Sequence, residues 1–272
     1  MIGTIQNLDA KALSFCLECN YSDLLHLADN APGQYHEIKI EKRGKSRIIE
    51  IPTPYLKKKQ KMLLTKVFYP LKTHPRLYGG PGSSIKKAAT DHVRKPIVIT
   101  IDIKNFFPNV NTIKIREMLH RRKASKDVAE LLIRLTTYKN HLPHGSPTSP
   151  CIGRLILNPF AINLEKMLRR IHPKAFFSIY VDDIIISGPL GIKRAIRPIY
   201  QIIKRYGFEP NERKTKVMDY KNEQASLSIR LNRRIEPTTA YLKEVEALEN
   251  ILSSTDPKLI GKKAHIQFLF KD

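Results

Sequence analysis

The chain has 272 residues, of which 42% are hydrophobic, so it can bury a sizeable core and is not a disordered protein. Lysine and arginine number 48 against 25 aspartate and glutamate, a formal net charge of +23. This balance favours a polyanionic partner such as nucleic acid, although charge alone does not separate a nucleic-acid enzyme from a ribosomal-type or merely soluble basic protein.

Three cysteines, Cys16, Cys19 and Cys151, provide no disulfide framework, which is typical of a reducing compartment. Cys16 and Cys19 have the spacing of a metal-ligand pair, but no second Cys or His pair follows nearby, so we favour buried thiols. The N-terminus has no basic start followed by an apolar run, and no apolar stretch reaches ~18 residues. We therefore expect a soluble, unexported protein.

The first part of the chain predicts helices around a basic hairpin. Residues 8–30 predict a helix, and residues 35–40 and 47–51 predict two strands joined by a basic turn at Gly44. The turn could fold over a triphosphate or be only a solvated loop. Residues 56–71 predict a further helix that could follow a nucleic-acid backbone or simply face solvent. The basic residues of that helix are Lys57, Lys58, Lys59, Lys61 and Lys66.

Two apolar segments carry aspartates. Residues 97–103 predict a buried strand with Asp102 near its end, and residues 176–187 predict a strand, tight turn and strand with Asp182 and Asp183 near the tip. Adjacent carboxylates repel each other unless a cation neutralises them. A bare Asp-Asp pair is most often a solvated turn. A third carboxylate ending a second strand instead predicts a two-metal site for phosphoryl transfer, suited to Mg²⁺ or Mn²⁺.

The remaining segments are expected to surround this site. Residues 111–137 predict two helices, and residues 148–150 predict the start of a helix that runs to about Arg170. The start of this helix could offer N–H groups to a phosphate or a base, or be an ordinary cap. Further helices are predicted over residues 192–206, 238–252 and 257–270.

The order of these elements resembles the reverse transcriptase family, specifically its bacterial, retron-like branch, from about residue 36 to 270. The likeness is carried by the segments Asp102-Ile-Lys-Asn-Phe-Phe-Pro108, Leu142-Pro-His-Gly-Ser-Pro-Thr-Ser-Pro150, Tyr180-Val-Asp-Asp183 and Asn211-Glu-Arg-Lys-Thr215. Three departures stand out. His144 replaces the usual Gln, the Asn of an Asn-Ala-x-x-His motif ending at His92 is missing, and Leu227-Ser-Ile229 stands where retrons show Val-Thr-Gly.

The resemblance implies an α+β fold in the form of a right hand. Its palm would combine an antiparallel sheet with helices, and its thumb would be helical. The expected boundaries are 1–95 for the N-terminal helix and fingers, 96–225 for the palm with a finger insertion around 111–140, and 226–272 for the thumb. No RNase H, endonuclease or maturase domain is expected among these residues.

The resemblance also implies roles for single residues. The catalytic metal ligands would be Asp102, Asp182 and Asp183. Phe107 would be the aromatic residue that excludes a ribose 2′-OH. The other dNTP contacts would come from Arg47, one of Lys42 and Lys45, His144, and Lys214 near the leaving pyrophosphate. Nucleic acid would be contacted by Lys57, Lys58, Lys61 and Tyr180.

The implied function is RNA-directed DNA polymerisation by a cytoplasmic bacterial retron or a related anti-phage defence element. The implied cofactor is Mg²⁺, with Mn²⁺ as a substitute. The implied partners are a structured non-coding RNA that supplies template and primer, its DNA product, dNTPs and an effector protein, with no membrane. Two alternatives stay open: a catalytically limited nucleic-acid-binding scaffold, and an RNA-dependent RNA polymerase, against which Phe107 argues.

Overall fold

The structure, a computed structural model, describes residues 5–42 and 45–270, apart from the side chains of Lys42 and Lys45. Its helices are α1 (Ala10–Cys16), α2 (Tyr21–Asp29), α3 (Pro54–Leu63), α4 (Ile85–Thr90), α5 (Phe106–Asn109), α6 (Thr112–Arg121), α7 (Lys126–Thr136), α8 (Ser149–Ile156), α9 (Asn158–Ile171), α10 (Ile196–Arg205), α11 (Thr239–Glu249) and α12 (Pro257–Phe270). Its strands are β1 (Tyr35–Lys42), β2 (Lys45–Pro52), β3 (Leu77–Tyr78), β4 (Ile97–Asp102), β5 (Phe176–Tyr180), β6 (Asp183–Gly188), β7 (Lys216–Asp219), β8 (Ala225–Ser226), β9 (Ile229–Arg230) and β10 (Glu236–Pro237).

The mixture of helices and antiparallel strands confirms the predicted α+β class. The chain forms two compact units, one of residues 1–81 and 105–160, the other of residues 82–104 and 161–272. The expected boundaries of fingers, palm and thumb stay a prediction. Within the described ranges, no helix combines the length and the apolar character that a bilayer crossing requires.

The first unit contains the predicted basic hairpin. Strands β1 and β2 pair antiparallel from Tyr35 opposite Pro52 to Lys42 opposite Lys45. The turn predicted at Gly44 lies outside the described residues. The base of the hairpin joins the core through Tyr35, which is buried, stacks on Tyr138 and accepts a hydrogen bond from the buried Gln60 amide at 2.7 Å. This anchoring fixes β2, which carries two of the residues discussed below.

The second unit is built on an antiparallel sheet with the strand order β5-β6-β4-β7. Val98 and Met218 are direct cross-strand partners, Ile185 lies diagonally from Val98 on the same face, and all three are buried there. Their cover consists of the buried residues Ala89, Ile229, Leu231 and Leu269. Each fully buried aliphatic side chain stabilises the fold by about 1.5–3 kcal/mol. The sheet that carries the aspartates is therefore a rigid platform.

Several predicted helices are interrupted. The single helix expected over residues 8–30 is wrong, because Glu18 adopts a φ of 52° and the Asn20 side chain caps a second helix through Asp23 N at 2.8 Å. The helix expected to reach Arg170 is broken between α8 and α9, where Pro159 lacks the N–H of a continuous helix. Pro198 acts in the same way, so residues 190–195 form a 3₁₀ turn before α10.

The helix expected over residues 56–71 ends as α3 at Leu63 and continues as one π-helical turn. Lys59 was predicted on its exposed basic side, but it is buried and its ammonium donates to the Leu17 carbonyl at 2.6 Å. The thiols of Cys16 and Cys151 are buried and Cys19 is half-buried; burial raises the pKa of all three.

Candidate active site

Two aspartates lie where the β5–β6 hairpin turns. Tyr180 and Asp183 are the last paired residues, so Val181 and Asp182 form a two-residue turn. Val181 has a φ of 59°, a left-handed conformation that costs a β-branched residue of order 1–3 kcal/mol. The paired strands on either side offset that cost. A strained turn held by its surroundings is a frequent feature of functional sites.

The third aspartate lies beside this turn. Asp102, the last residue of β4, is the direct cross-strand partner of Asp183, and directly opposed residues share one face of a sheet. The turn is tied to the same strand because Ile103 N donates to the Asp182 carbonyl at 3.2 Å. Burial, reinforced by the charges of Asp182 and Asp102, raises the pKa of Asp183 to about 7. The three carboxylates therefore interact as one strongly negative group.

Two side chains from the segment before β7 hold Asp102. The Lys214 ammonium lies 3.1 Å from each of its carboxylate oxygens, and Asn211 Nδ2 donates to Oδ2 at 2.9 Å. The Asn211 backbone N also donates to the Asp102 carbonyl at 2.7 Å. Asp102 is thus fixed both at its backbone and at its carboxylate, with a cation already beside it.

This donor set fits a divalent hard cation. The negative charges that raise the pKa of Asp183 would be stabilised by a metal ion, and oxygen donors suit Mg²⁺. In the described part of the chain, no three His, Cys, Asp or Glu side chains are yet arranged as a closed metal site. In the structure the positive charge beside Asp102 comes from the Lys214 ammonium.

In the first unit, the loop predicted to handle substrate docks on strand β2. Glu50 is buried; its carboxylate accepts from His141 Nε2 at 2.8 Å and from the His144 backbone N at 3.2 Å. Gly145 N donates to the Glu50 carbonyl at 3.1 Å. A Cβ at position 145 would lie 2.4 Å from that carbonyl oxygen, so the approach requires glycine.

Phe107 and His144 come together within this unit. Their rings meet edge to face with centroids 5.4 Å apart, and Phe107 is also in contact with Phe106. Phe106 is the buried aromatic of the pair and packs over Gly153 of α8, where a Cβ would lie 2.7 Å from its ring. Phe107 remains half-buried. Partial burial lowers the pKa of His144, which therefore favours the neutral imidazole at neutral pH.

The other predicted residues divide between the two units. Arg47, Lys57, Lys58 and Lys61 are exposed in the first unit, and Tyr180 is half-buried in the second. Lys42 and Lys45 lie outside the described side chains. Thr148 directly precedes α8 at the N-cap position but makes no side-chain cap; its hydroxyl is hydrogen-bonded to Ser146 Oγ at 2.8 Å. The individual roles of these residues stay predictions.

Sequence reasoning missed Glu50 and Asn211. Glu50 is an acidic residue inside the apolar run Ile48-Ile-Glu-Ile51, which is a usable signal because a buried carboxylate needs partners. Asn211 belongs to a segment that the resemblance had already marked, but its contact with Asp102 joins positions far apart in the chain. Only the folded structure reveals such a pairing.

The second unit also contains a basic cavity of about 610 Å³. Its cationic lining residues are Arg94, Lys221, Arg230, Arg233 and Arg234, and its acidic ones are Glu223 and Glu236. Glu236 pairs with both Arg230 and Arg234. Arg94 is fixed in turn because its Nε donates to the Arg233 carbonyl at 2.9 Å. The remaining excess of positive charge suits a phosphate-bearing partner.

Comparison with known proteins identifies the family. Residues 38–258 match the family model described as reverse transcriptase (RNA-dependent DNA polymerase). The chain belongs to the reverse transcriptase family. Enzymes of this family generally use divalent metals such as Mg²⁺.

Several relatives are bacterial retron reverse transcriptases. The Mx65 enzyme of Myxococcus xanthus is 26% identical over 86% of this chain and 61% of its own length. The Ec86 enzyme of Escherichia coli is 26% identical over 67% of this chain and 58% of its own length. The Se72 enzyme of Salmonella heidelberg is 30% identical over 72% and 53%. The chain therefore spans between about half and three fifths of these relatives.

Solved structures show the same fold. Telomerase from Candida albicans, in complex with a TWJ fragment of telomeric RNA, superposes with a TM-score of 0.55 at 10% identity, over 86% of this chain and 54% of that chain. Telomerase from Candida tropicalis without its C-terminal domain superposes with a TM-score of 0.53 at 14% identity, over 81% of this chain and 61% of that chain. At such low identity the likeness concerns the fold, and it confirms the polymerase type of α+β architecture.

Proposed function

We propose that the chain is an RNA-directed DNA polymerase of the retron kind, acting in the bacterial cytoplasm within a retron or a related defence element. The observation that carries the proposal is the cross-strand pair of Asp102 and Asp183 beside the Asp182 turn, in a chain of the reverse transcriptase family. The retron assignment draws support from the relatives Mx65, Ec86 and Se72.

In the proposed reaction a primer 3′-hydroxyl gives its proton to solvent water and attacks the α-phosphorus of a dNTP. The new P–O bond forms as the bond to the β-phosphate breaks, and pyrophosphate leaves. Asp102, Asp182 and Asp183 would hold the metal ions. When bound, Mg²⁺ supplies charge neutralisation and activates the attacking hydroxyl. The protein's own task is to hold these carboxylates in fixed positions.

Lys214 has a second task in this proposal. Its ammonium neutralises Asp102 in the structure and would move to the leaving pyrophosphate when substrate is present. Asn211 keeps its bonds to Asp102 during that exchange, because it donates from the backbone as well as from the side chain. Phe107, held against His144, would restrict the sugar to a deoxyribose.

The proposed nucleic-acid partner is a structured non-coding RNA that supplies template and primer. The net charge of +23 and the basic cavity of the second unit support a phosphate-rich partner. An RNA–DNA hybrid would be recognised by its A-form shape and its backbone, and this recognition would not depend on the base sequence. An effector protein is the further partner proposed for a retron or related defence element.

The test is primer extension on an RNA template with dNTPs and Mg²⁺, using protein purified with its bound nucleic acid. Asp182→Asn and Asp183→Asn should abolish extension while circular dichroism and melting show a folded protein. Sequencing the copurified nucleic acid identifies the template. A variant that extends at the normal rate contradicts the assignment, and an inactive wild-type protein without a specific RNA favours the scaffold alternative.

A further inference from the structure

A buried histidine lies beneath the catalytic hairpin. His92 follows α4 and is fully buried. Its Nδ1 lies 2.7 Å from Ser187 Oγ on β6, and its Nε2 lies 2.8 Å from Ser178 Oγ on β5. Both serines are buried as well. One side chain is therefore hydrogen-bonded to both strands of the hairpin that ends in the aspartates.

The direction of these hydrogen bonds can be worked out. Ser178 Oγ donates its single hydrogen to the Ala88 carbonyl at 2.7 Å, so it must accept from His92 Nε2. Nε2 therefore carries a proton, and in the neutral ring Nδ1 is then the acceptor for the Ser187 hydroxyl. The result is a continuous chain of donors from β6 through His92 and β5 to α4, with each hydroxyl proton in use.

The chain of hydrogen bonds shares a sheet face with the metal-binding carboxylates. The register pairs Phe176 with Ser187, Ser178 with Ile185 and Tyr180 with Asp183, and opposed residues point to the same side. On β6, Ser187 lies four residues beyond Asp183, about 13 Å along the strand at ~3.3 Å per residue. His92 therefore supports the hairpin from its buried end and touches no reacting atom.

We propose that His92 is a positioning residue, which with Ser178 and Ser187 fixes the two strands so that Asp182 and Asp183 face Asp102. A satisfied polar network in a buried place has one preferred geometry, so these side-chain hydrogen bonds add to the backbone ladder that pairs the two strands. The strained Val181 turn has to be held by the strands that flank it. This inference rests on the proposed function, which supplies the role of the aspartates.

The experiment separates positioning from stability. His92→Phe removes the partner of the buried Ser187 hydroxyl and leaves Ser178 only its bond to the Ala88 carbonyl, so it should lower both the melting temperature and kcat. The triple variant His92→Phe, Ser178→Ala, Ser187→Ala removes the polar side-chain atoms together, leaves only the Ala88 carbonyl without its hydroxyl donor, and should recover much of the melting temperature. We expect its kcat to stay at least tenfold below wild type, with KM for dNTP changed less than threefold. Recovery of kcat along with stability overturns the proposal.

A matched control is Gln224→Met. Gln224 is also fully buried in the second unit, and its amide donates to the Lys95 carbonyl at 2.9 Å, outside the hairpin. We expect this variant to melt earlier than wild type and to keep its kcat. An equal loss of kcat in Gln224→Met and His92→Phe would mean that His92 acts only through stability.

A second readout does not depend on polymerisation. Mn²⁺ binding to the purified proteins, measured by electron paramagnetic resonance, should weaken at least fivefold in the triple variant and stay unchanged in Gln224→Met. If wild-type protein binds Mn²⁺ and extends no primer, the proposed function fails while this comparison still decides the role of His92. Equal Mn²⁺ affinity in wild type and the triple variant would overturn the positioning role of His92.

Discussion

Lys214 holds its ammonium 3.1 Å from both carboxylate oxygens of Asp102. The lysine side chain is about half exposed and the aspartate is one-fifth exposed, so the pair stands at the edge of the carboxylate group. A partly exposed ion pair contributes little to stability, in the range of about 0–1 kcal/mol. The pair is therefore better explained by the chemistry of the site than by the stability of the fold.

We expect Lys214→Met to lower kcat for primer extension by about 10²-fold, because the leaving pyrophosphate loses a cation and a proton donor. The same change frees Asp102 and should tighten Mn²⁺ binding. Lys214→Arg keeps the charge, so its kcat and its Mn²⁺ affinity should lie between those of wild type and Lys214→Met. Single-turnover extension and Mn²⁺ titration measure these effects. A normal kcat in Lys214→Met would exclude a role for Lys214 at the leaving group.

The pattern of the sequence was sufficient to predict the hairpin of Asp182 and Asp183 and the strand of Asp102, because apolar runs rich in β-branched residues and interrupted by only one or two acids favour strands. It was also sufficient for the basic hairpin β1–β2. Pro159 and Pro198 signal the helix interruptions in the sequence itself, but apolar periodicity alone does not detect them. Local signals of this kind predict helices and strands and the residues at which they end.

Contacts between residues far apart in the chain could not be predicted from the sequence in this way. Lys59 has the sequence context of an exposed lysine, yet it satisfies the Leu17 carbonyl inside the first unit. Glu50 pairs with His141, which follows it by 91 positions. Which polar groups meet inside a core depends on how separate elements pack, and no period or spacing encodes that.

The raised pKa of Asp183 predicts how stability depends on pH. Its pKa rises from 3.8 to about 7 in the folded protein, so the folded state binds this proton more tightly than the unfolded chain. This contribution is fully present below pH ~4 and is lost as the pH rises through 7. At 1.36 kcal/mol per unit, the shift corresponds to about 4 kcal/mol.

Asp183→Asn should therefore raise the melting temperature of the metal-free protein at pH 8 by several degrees and change it little at pH 4. Adding Mg²⁺ at pH 8 should raise the melting temperature of wild type more than that of the variant. Differential scanning fluorimetry across pH with EDTA or Mg²⁺ provides the measurement. Equal melting temperatures of the two metal-free proteins at pH 8 would contradict the raised pKa.

Gly145→Ala should disrupt the loop that carries His144. The added methyl group would lie 2.4 Å from the Glu50 carbonyl oxygen, a backbone atom that cannot rotate away. We expect a loss of about 1–3 kcal/mol in the free energy of unfolding, measured with urea, and a higher KM for dNTP. The matched control is Gly33→Ala, where nothing lies within 4 Å of the new atom. If both variants unfold alike, the close approach at Gly145 is not needed.

The basic cavity should contribute to RNA affinity through charge. Lys221 and Arg233 line it and are exposed. Replacing both by alanine should weaken RNA binding by a similar factor for all sequences and reduce the slope of log K against log salt by about 1.4 for single-stranded contacts. Filter binding at several salt concentrations measures both. Lys126→Ala, an exposed lysine outside the cavity, is the control, and an equal slope change there would refute a specific role.

Phe107→Ala should relax sugar selection. The Phe107 ring is half-buried and contacts the rings of both Phe106 and His144, which restrict its position. Removing the ring opens room for a 2′-hydroxyl, and we expect the ratio of kcat/KM for dNTP over rNTP to fall at least tenfold. Phe106→Leu is the matched control, because this neighbouring ring is buried and should affect stability with sugar selection intact. Competitive incorporation of dNTP and rNTP on one primer gives the ratio directly. Unchanged selection in Phe107→Ala would place the sugar gate on another residue.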